Sequence, residues 1–342
     1  MLYFVTYFDS HYLIKGLTLY RSLVRHAPSF RLWVLCFDDL ACETLQRLGL
    51  PGVIPVSLKD FEHGDEALLR TKHTRSRVEY YFTCTPSLPL YILKHWPEVD
   101  IITYLDSDLF FFSDPLHVIH ALGDNSILLV EHRFPPHLRH LLEHGIYNVG
   151  LLVFRRSSEG IDCLNWWRDR CIDWCYDYVE EDRFADQKYL DDWPTRFPGV
   201  VVLQNNGAGL APWNVTGSDL RLREGKVMVD SHPLIFFHFH RLQQIRPWLY
   251  DPALASHGAC AGFLLRRHIY GPYIRELRET SRWMAAVDNQ TLGHTGSIRD
   301  GSRGVEPDNM ASRLSMKIKN ARIVINMILR GQLLLVIQDR VM

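Results

Sequence analysis

The residues best suited to chemistry are two carboxylates one position apart, Asp106 and Asp108, in the phrase YLDSDLFFFSDP. They follow Ile101-Ile102-Thr103-Tyr104-Leu105, a run of apolar and β-favouring residues that predicts a buried strand with a polar tip. Ligands of open α/β sheets bind outside the carboxyl ends of such strands. Two carboxylates there can reach one divalent cation, and Mn²⁺ or Mg²⁺ prefers oxygen ligands that it shares with substrate phosphates. A bound ion would bridge the pair to a diphosphate and neutralise charge developing on a leaving nucleotide. Alone, an Asp-x-Asp is weak, since a solvated turn or a cap uses the same residues. Its place behind a strand and ahead of the aromatic run Leu109-Phe110-Phe111-Phe112 is what raises it.

Other polar residues compete with plainer roles. Thr6, Tyr7 and Asp9 end the first apolar run, where a nucleotide base and ribose would lie, although Asp9 equally suits a helix N-cap. Arg75 and Arg77, in the basic stretch 70–77, suit phosphates or a solvated face. His132, His137, His140 and His144 cluster in sequence, but no cysteine or carboxylate stands at ligand spacing, so a zinc site is not expected. Trp166, Trp167 and Trp174 are expected to pack as core.

The elements that must position these residues alternate. Residues 2–6, 31–37 and 53–56 read as strands, with helical spacing at 13–23 and 42–48 between them. That alternation predicts an α/β fold, a mostly parallel sheet covered by helices on both faces. Helices are expected at 80–94 and 164–179, and strands at 127–130, 149–154, 200–203 and 234–239. Residues 288–310 lose apolar periodicity and collect Gly, Asp, Ser and Asn, as a linker does. Beyond them Leu314, Ile318, Ala321, Ile325 and Ile328 share one helix face, opposite Lys319, Arg322, Asn326 and Arg330. The expected organisation is a domain over 1–285, a polar linker over 286–311, and a basic amphipathic helix over 312–342. That helix would lie on an anionic membrane surface or dock onto the main domain.

Bulk properties narrow the partners. The 342 residues are 47% hydrophobic and 23% charged with a net charge of −1, which argues against a nucleic-acid partner. Seven cysteines without a CxxC pair read as reduced, buried thiols. The chain opens on a strand rather than a signal peptide, and no apolar stretch approaches the roughly 18 residues of a membrane span. The expectation is a cytoplasmic protein, peripheral on the inner face of the membrane if the terminal helix docks there.

YLDSDLFFFSDP resembles the nucleotide-sugar signature of GT-A-fold glycosyltransferases, most nearly glycosyltransferase family 8 and its relatives. Further segments resemble that family's in the same order. Tyr147-Asn148-Val149-Gly150 before LLVF resembles its Asn-x-Gly turn at the donor sugar, and Phe184-Ala185-Asp186-Gln187 its Asp-Gln pair. Pro212-Trp213-Asn214 resembles its Trp-Asn segment. His238-Phe239-His240 with Arg246-Pro247-Trp248 resembles its His-Phe-x-Gly…Lys-Pro-Trp ending.

The resemblance implies a GT-A-like fold and transfer of a sugar from a nucleotide-diphosphate donor, a UDP-sugar above all, to a glycan or lipid-linked acceptor. Cell-surface polysaccharide or glycolipid synthesis is the setting it suggests. It implies a metal on Asp106, Asp108 and a histidine, and donor contacts from Asn148 and Arg246, beside those expected from position for Thr6, Tyr7, Asp9, Arg77 and Ser107. Asp186 and Gln187 would act at the sugar, with retention of configuration the expected course. Counted back from Pro247-Trp248 the third ligand is His240; matched on the His-Phe pair it is His238. Only one is expected to face the metal, and His238 is favoured. Arg241 stands where the family has Gly, and Arg246 where it has Lys, a change that keeps a bidentate phosphate binder. Among rivals, a nucleotidyltransferase would carry a Gly-rich basic loop after the first strand, and FVTYFDSHYL has none. A phosphohydrolase would need further metal ligands on strand tips. A non-catalytic sugar-nucleotide-binding protein stays open.

Overall fold

Alternating strands and helices lay down the first half of the chain in the computed structural model, which describes residues 1–287 and 321–342. In order these are β1 (Leu2–Phe8), α1 (Leu13–His26), β2 (Phe30–Cys36), α2 (Asp39–Leu48) and β3 (Val53–Ser57). Four helices come next, α3 (Leu58–Glu62), α4 (Glu66–Thr71), α5 (Arg77–Cys84) and α6 (Ser87–His95). The chain continues through β4 (Ile101–Leu105), β5 (Leu109–Phe111), α7 (Leu116–His120), β6 (Ile127–Glu131), β7 (Tyr147–Arg155) and α8 (Ser158–Asp173). The stretch expected as one helix over 80–94 is thus α5 and α6. The Trp-rich helix begins six residues earlier than expected, because Ser157 accepts a cap hydrogen bond from the Gly160 amide.

After α9 (Trp193–Arg196) and β8 (Val200–Val202) the central sheet is complete, with strand order β3-β2-β1-β4-β7-β6-β8. β1 runs parallel to β2 and β4, β2 to β3, and β6 to β8, while β7 is antiparallel to both its neighbours. This is the expected α/β class, a GT-A-like and mostly parallel sheet. Its strands are buried on both faces, so alternate side chains feed two cores. Phe4, Leu32 and Val34 join the core under α1, whereas Val5, Trp33 and Leu35 join the core holding Leu88, Ile92 and Trp167. Chain order reverses between β1 and β4, which places a crevice at the carboxyl ends of those two strands.

The later elements are β9 (Leu220–Arg223), β10 (Lys226–Val229), β11 (His232–Pro233), β12 (Phe236–His238), β13 (Gln243–Arg246), β14 (Leu249–Asp251) and α10 (Gly271–Val287). β12 pairs antiparallel with β5, setting His238 opposite Leu109. α10 is tied to α1 through Glu276, which accepts from Arg25 at 2.5 Å and from Arg21.

The expected terminal helix needs correcting. Positions 312–320, like the expected linker from residue 288 onward, lie outside the described residues. The described tail is a helix, α11 (Ala321–Leu329), and then a hairpin of β15 (Leu334–Ile337) and β16 (Arg340–Val341). Gly331, at φ 70°, lies just past the end of the helix, and the apolar run 333–337 takes strand geometry. Gln338 and Asp339 both have positive φ, as a type I′ hairpin turn requires. β15 pairs with β14, and Asp339 receives Arg278 at 2.6 Å and Arg282 at 3.0 Å. No helix among the described residues is long and apolar enough to cross a membrane.

Candidate active site

The acidic pair sits where β4 leaves the sheet. The Asp106 amide donates to Gly150 O at 2.8 Å, and Asp108 O accepts from the Phe239 amide at 3.0 Å. The loop is therefore clamped between β7 and the end of β12. The His238 Nε2 lies 3.0 Å from Asp108 Oδ1 and 3.6 Å from Asp106 Oδ2. Behind them the Tyr104 hydroxyl donates to Asp106 Oδ1 at 2.8 Å, and Lys15 Nζ lies 4.0 Å from Asp108 Oδ2. Gly150 is glycine for want of room: a Cβ there would overlap Asn148 Oδ1 and come within 2.9 Å of His238 Nδ1.

Charges in this cluster are mutually adjusted. Burial raises the Asp106 carboxyl and Asp108 adds to it, against the opposing pull of His238. Burial also works against Asp108, but His238 and then Lys15 hold it well below the ordinary carboxylate range. Burial lowers His238, yet the two carboxylates overcome it and raise the imidazole. One oxygen from each carboxylate and one imidazole nitrogen all lie within 4.8 Å of one another. Two hard oxygens and one nitrogen at a crevice suit Mn²⁺ or Mg²⁺, and the His238 Nδ1 is buried with no hydrogen-bond partner.

Both histidines of the His-Phe-His segment face this pocket, as residues two apart on an extended segment must. Their rings pack on Trp213 at 5.3 Å and 5.6 Å. Reach separates them. His238 is pinned by the β5–β12 pairing and joins the ligand cluster, whereas His240 lies past the strand end and does not.

Arg246 also needs correcting. The chain turns after Phe239, and β13 carries Arg246 out to an exposed position, away from the pocket. Arg241 lines the pocket instead. It holds φ 57°, a left-handed conformation that favours glycine.

The cluster lies in the wall of a pocket of about 380 Å³. At one end stand Tyr7, Asp9, Tyr12 and Tyr81. Asp9 is not the N-cap of α1, a position Tyr12 takes; its Oδ1 accepts from the His11 and Tyr12 amides in the turn before the helix, and its side chain lines the pocket. Arg77 is not in the lining; it holds Asp9 from outside at 2.8 Å. Thr6 is buried within β1 and does not line the pocket either. Arg75 stacks on Tyr176 at 3.9 Å, a packing role.

Asn148, Asp186, Gln187 and Ser107 also line the pocket, with Asp186 near Tyr7 through Thr85. Gln187 donates to His144 O at 2.9 Å and accepts from Asn148 Nδ2 at 3.3 Å. Asn148 also donates to His132 Nε2 at 3.1 Å, and the His132 Nδ1 faces Ile146 O at 3.2 Å. Burial pushes His132 down to about 3, so it is a neutral orienter of Asn148 and no member of a histidine metal cluster. Asp186 is buried, its carboxyl pushed up to about 7 by burial and then by Asp106, against a hydrogen bond from Thr85.

Sheet order and crevice define a GT-A-like α/β architecture. No protein-family model matches the chain. YfnD of Bacillus subtilis (strain 168) is 30% identical over 290 residues, covering 84% of this chain and 91% of its own. YfnF of the same organism is 32% identical over 237 residues, 66% of this chain and 77% of its own. The chain belongs to the family of these two proteins, both of which are described as uncharacterized. Similar solved structures include the galactosyltransferase LgtC with donor and acceptor sugar analogues, 16% identical over 70% of this chain and 90% of that one, at a TM-score of 0.45. Mouse xyloside xylosyltransferase 1 is 13% identical over 70% and 98%, at 0.47.

Proposed function

We propose that the protein is a metal-dependent glycosyltransferase that moves a sugar from a nucleotide-diphosphate donor, a UDP-sugar foremost, to a hydroxyl of a glycan or lipid-linked acceptor. The observation that carries this reading is the convergence of Asp106, Asp108 and His238 at the β1–β4 crevice, in one pocket with Asn148, Asp186 and Gln187. Asp106, Asp108 and His238 would hold Mn²⁺ or Mg²⁺, which when bound neutralises charge on the departing diphosphate. Tyr7, Asp9 and Tyr12 receive the nucleoside end. Arg241, rather than Arg246, supplies the cation for the diphosphate. Asn148, fixed by His132 and Gln187, faces the donor sugar together with Ser107. Asp186 and Gln187 would supply the carboxylate or amide oxygen that an oxocarbenium-like centre needs, and retention is the course they support.

The same reading includes attachment to an anionic membrane, supported by the surface around the tail. Phe263, Ile325 and Leu329 are exposed large apolar residues on segments tied together by the Ala261–Gly331 hydrogen bond, with the exposed Arg267 and Arg330 beside them.

A panel of nucleotide-sugars with Mn²⁺, following release of nucleoside diphosphate with and without EDTA, tests the central reading. Release from at least one donor should require Mn²⁺ and fall about 100-fold or more in Asp108→Asn. Absence of both release and Mn²⁺-dependent donor binding across the panel would sink it.

A further inference from the structure

Lys15 lies in the first turn of α1 behind the acidic pair, and the proposed transfer reaction makes no use of it. Its side chain is 1% exposed and its ammonium has no hydrogen-bond partner. Asp108 Oδ2 is 4.0 Å away, beyond hydrogen-bond reach, and the Tyr12 ring centroid lies 4.4 Å from Nζ. A buried ammonium without acceptors is costly, so it persists only where its charge is matched. Asp108 does not depend on Lys15 for its position, because His238 holds the other carboxylate oxygen at 3.0 Å. Nor does Lys15 line the pocket, so it does not touch a donor. What it contributes is one fixed positive charge a few ångströms from any ion on Asp108.

We propose that Lys15 makes divalent-cation binding at this cluster conditional on a diphosphate, and so acts as a positioning residue through the metal. This rests on the metal-dependent reading of the site. Two carboxylates and a divalent ion cancel, leaving the lysine's charge as a buried positive excess when the imidazole is neutral. Diphosphate oxygens remove that excess. The ammonium subtracts from the affinity for the ion alone and adds to the affinity for the diphosphate, so the ion–diphosphate pair is held where the bare ion is not. The product diphosphate then leaves with its ion, rather than from a permanently loaded site.

The test is Mn²⁺ binding to the full chain, read from the electron paramagnetic resonance of free Mn²⁺, with the metal alone and with UDP or GDP added. The parent should bind Mn²⁺ at least about ten-fold more tightly with a nucleoside diphosphate than without. Lys15→Met should bind Mn²⁺ alone at least about ten-fold more tightly than the parent and metal-free UDP more weakly. Lys15→Arg, which keeps the charge, should behave as the parent. A merely structural lysine predicts the opposite sign, so Lys15→Met binding Mn²⁺ alone as weakly as the parent, or more weakly, overturns the proposal. So does a parent whose Mn²⁺ affinity ignores the nucleotide, whether or not the variant folds. A parent that binds no Mn²⁺ in either condition removes the metal reading, and this proposal with it.

Discussion

Replacing Asp186 with Asn removes a carboxyl that burial, and secondarily Asp106, pushes up from 3.8 to about 7, while keeping the size of the side chain. The native protein therefore holds this proton more tightly than the unfolded chain does. The stability this contributes is fully present below about pH 4 and is lost as pH rises toward 7. A displacement of about three units is worth about 4 kcal/mol in full, at 1.36 kcal/mol per unit. Part of that has already gone at pH 5, which leaves a loss of about 2.5 kcal/mol between pH 5 and pH 8. Asn cannot ionise and escapes it. In a chain of this size each kcal/mol moves the melting temperature by about 2 °C. Asp186→Asn should thus gain about 5 °C on the parent between pH 5 and pH 8, whatever its offset at either end, measured by differential scanning fluorimetry on metal-free protein. Parallel melting curves for the two proteins would show that Asp186 ionises freely and is solvated, and the argument for its environment would fail.

Three more outcomes are expected from the same geometry. Arg241→Ala should weaken Mn²⁺-dependent UDP binding about ten-fold or more by calorimetry, and Arg246→Ala should leave it within about two-fold; equal losses or the reverse order would refute the assignment. Gly150→Ala should cost about 1–3 kcal/mol of stability and lower Mn²⁺ affinity, because the new Cβ meets Asn148 and His238. Unchanged Mn²⁺ affinity would mean that His238 has room to move. Phe263→Asp and Leu329→Asp should each reduce sedimentation with anionic vesicles without altering nucleoside diphosphate release, whereas cutting the chain before β15 should also lower the melting temperature because β14 loses its partner. Vesicle binding that survives both substitutions would reject the apolar patch as the anchor.

Local signals carry the parts of the site that local structure builds. An apolar run ending in Asp-Ser-Asp is a strand tip whatever surrounds it, and the alternation before it requires a sheet with helices on both faces. Asn148 and the Asp186–Gln187 pair are legible as motifs for the same reason. The failures fall where backbone pairing or a turn decides. His238 and His240 share a face, and only the register of β12 against β5 selects one of them. The Arg-Pro-Trp phrase is present, but a turn after Phe239 sends Arg246 outward and leaves Arg241 inside. Helical spacing in the tail predicts a helix running past Gly331, where apolar β-formers and a two-residue turn make a hairpin instead. Lys15 gives no signal at all in sequence, since a lysine in a helix ordinarily lies on the solvated face.

The metal cluster draws on residues more than 120 positions apart, yet its geometry is set by main chain. Gly150 O holds Asp106, the Phe239 amide holds Asp108, and strand pairing holds His238. Such a cluster brings two carboxylates together whether or not an ion is present, so the protein alone must balance their repulsion. It does so with two cationic side chains of different kinds. The imidazole of His238 can give up its place beside Asp108 and become a ligand, but an ammonium such as that of Lys15 has no lone pair to offer. One balancing charge is therefore removable and the other fixed.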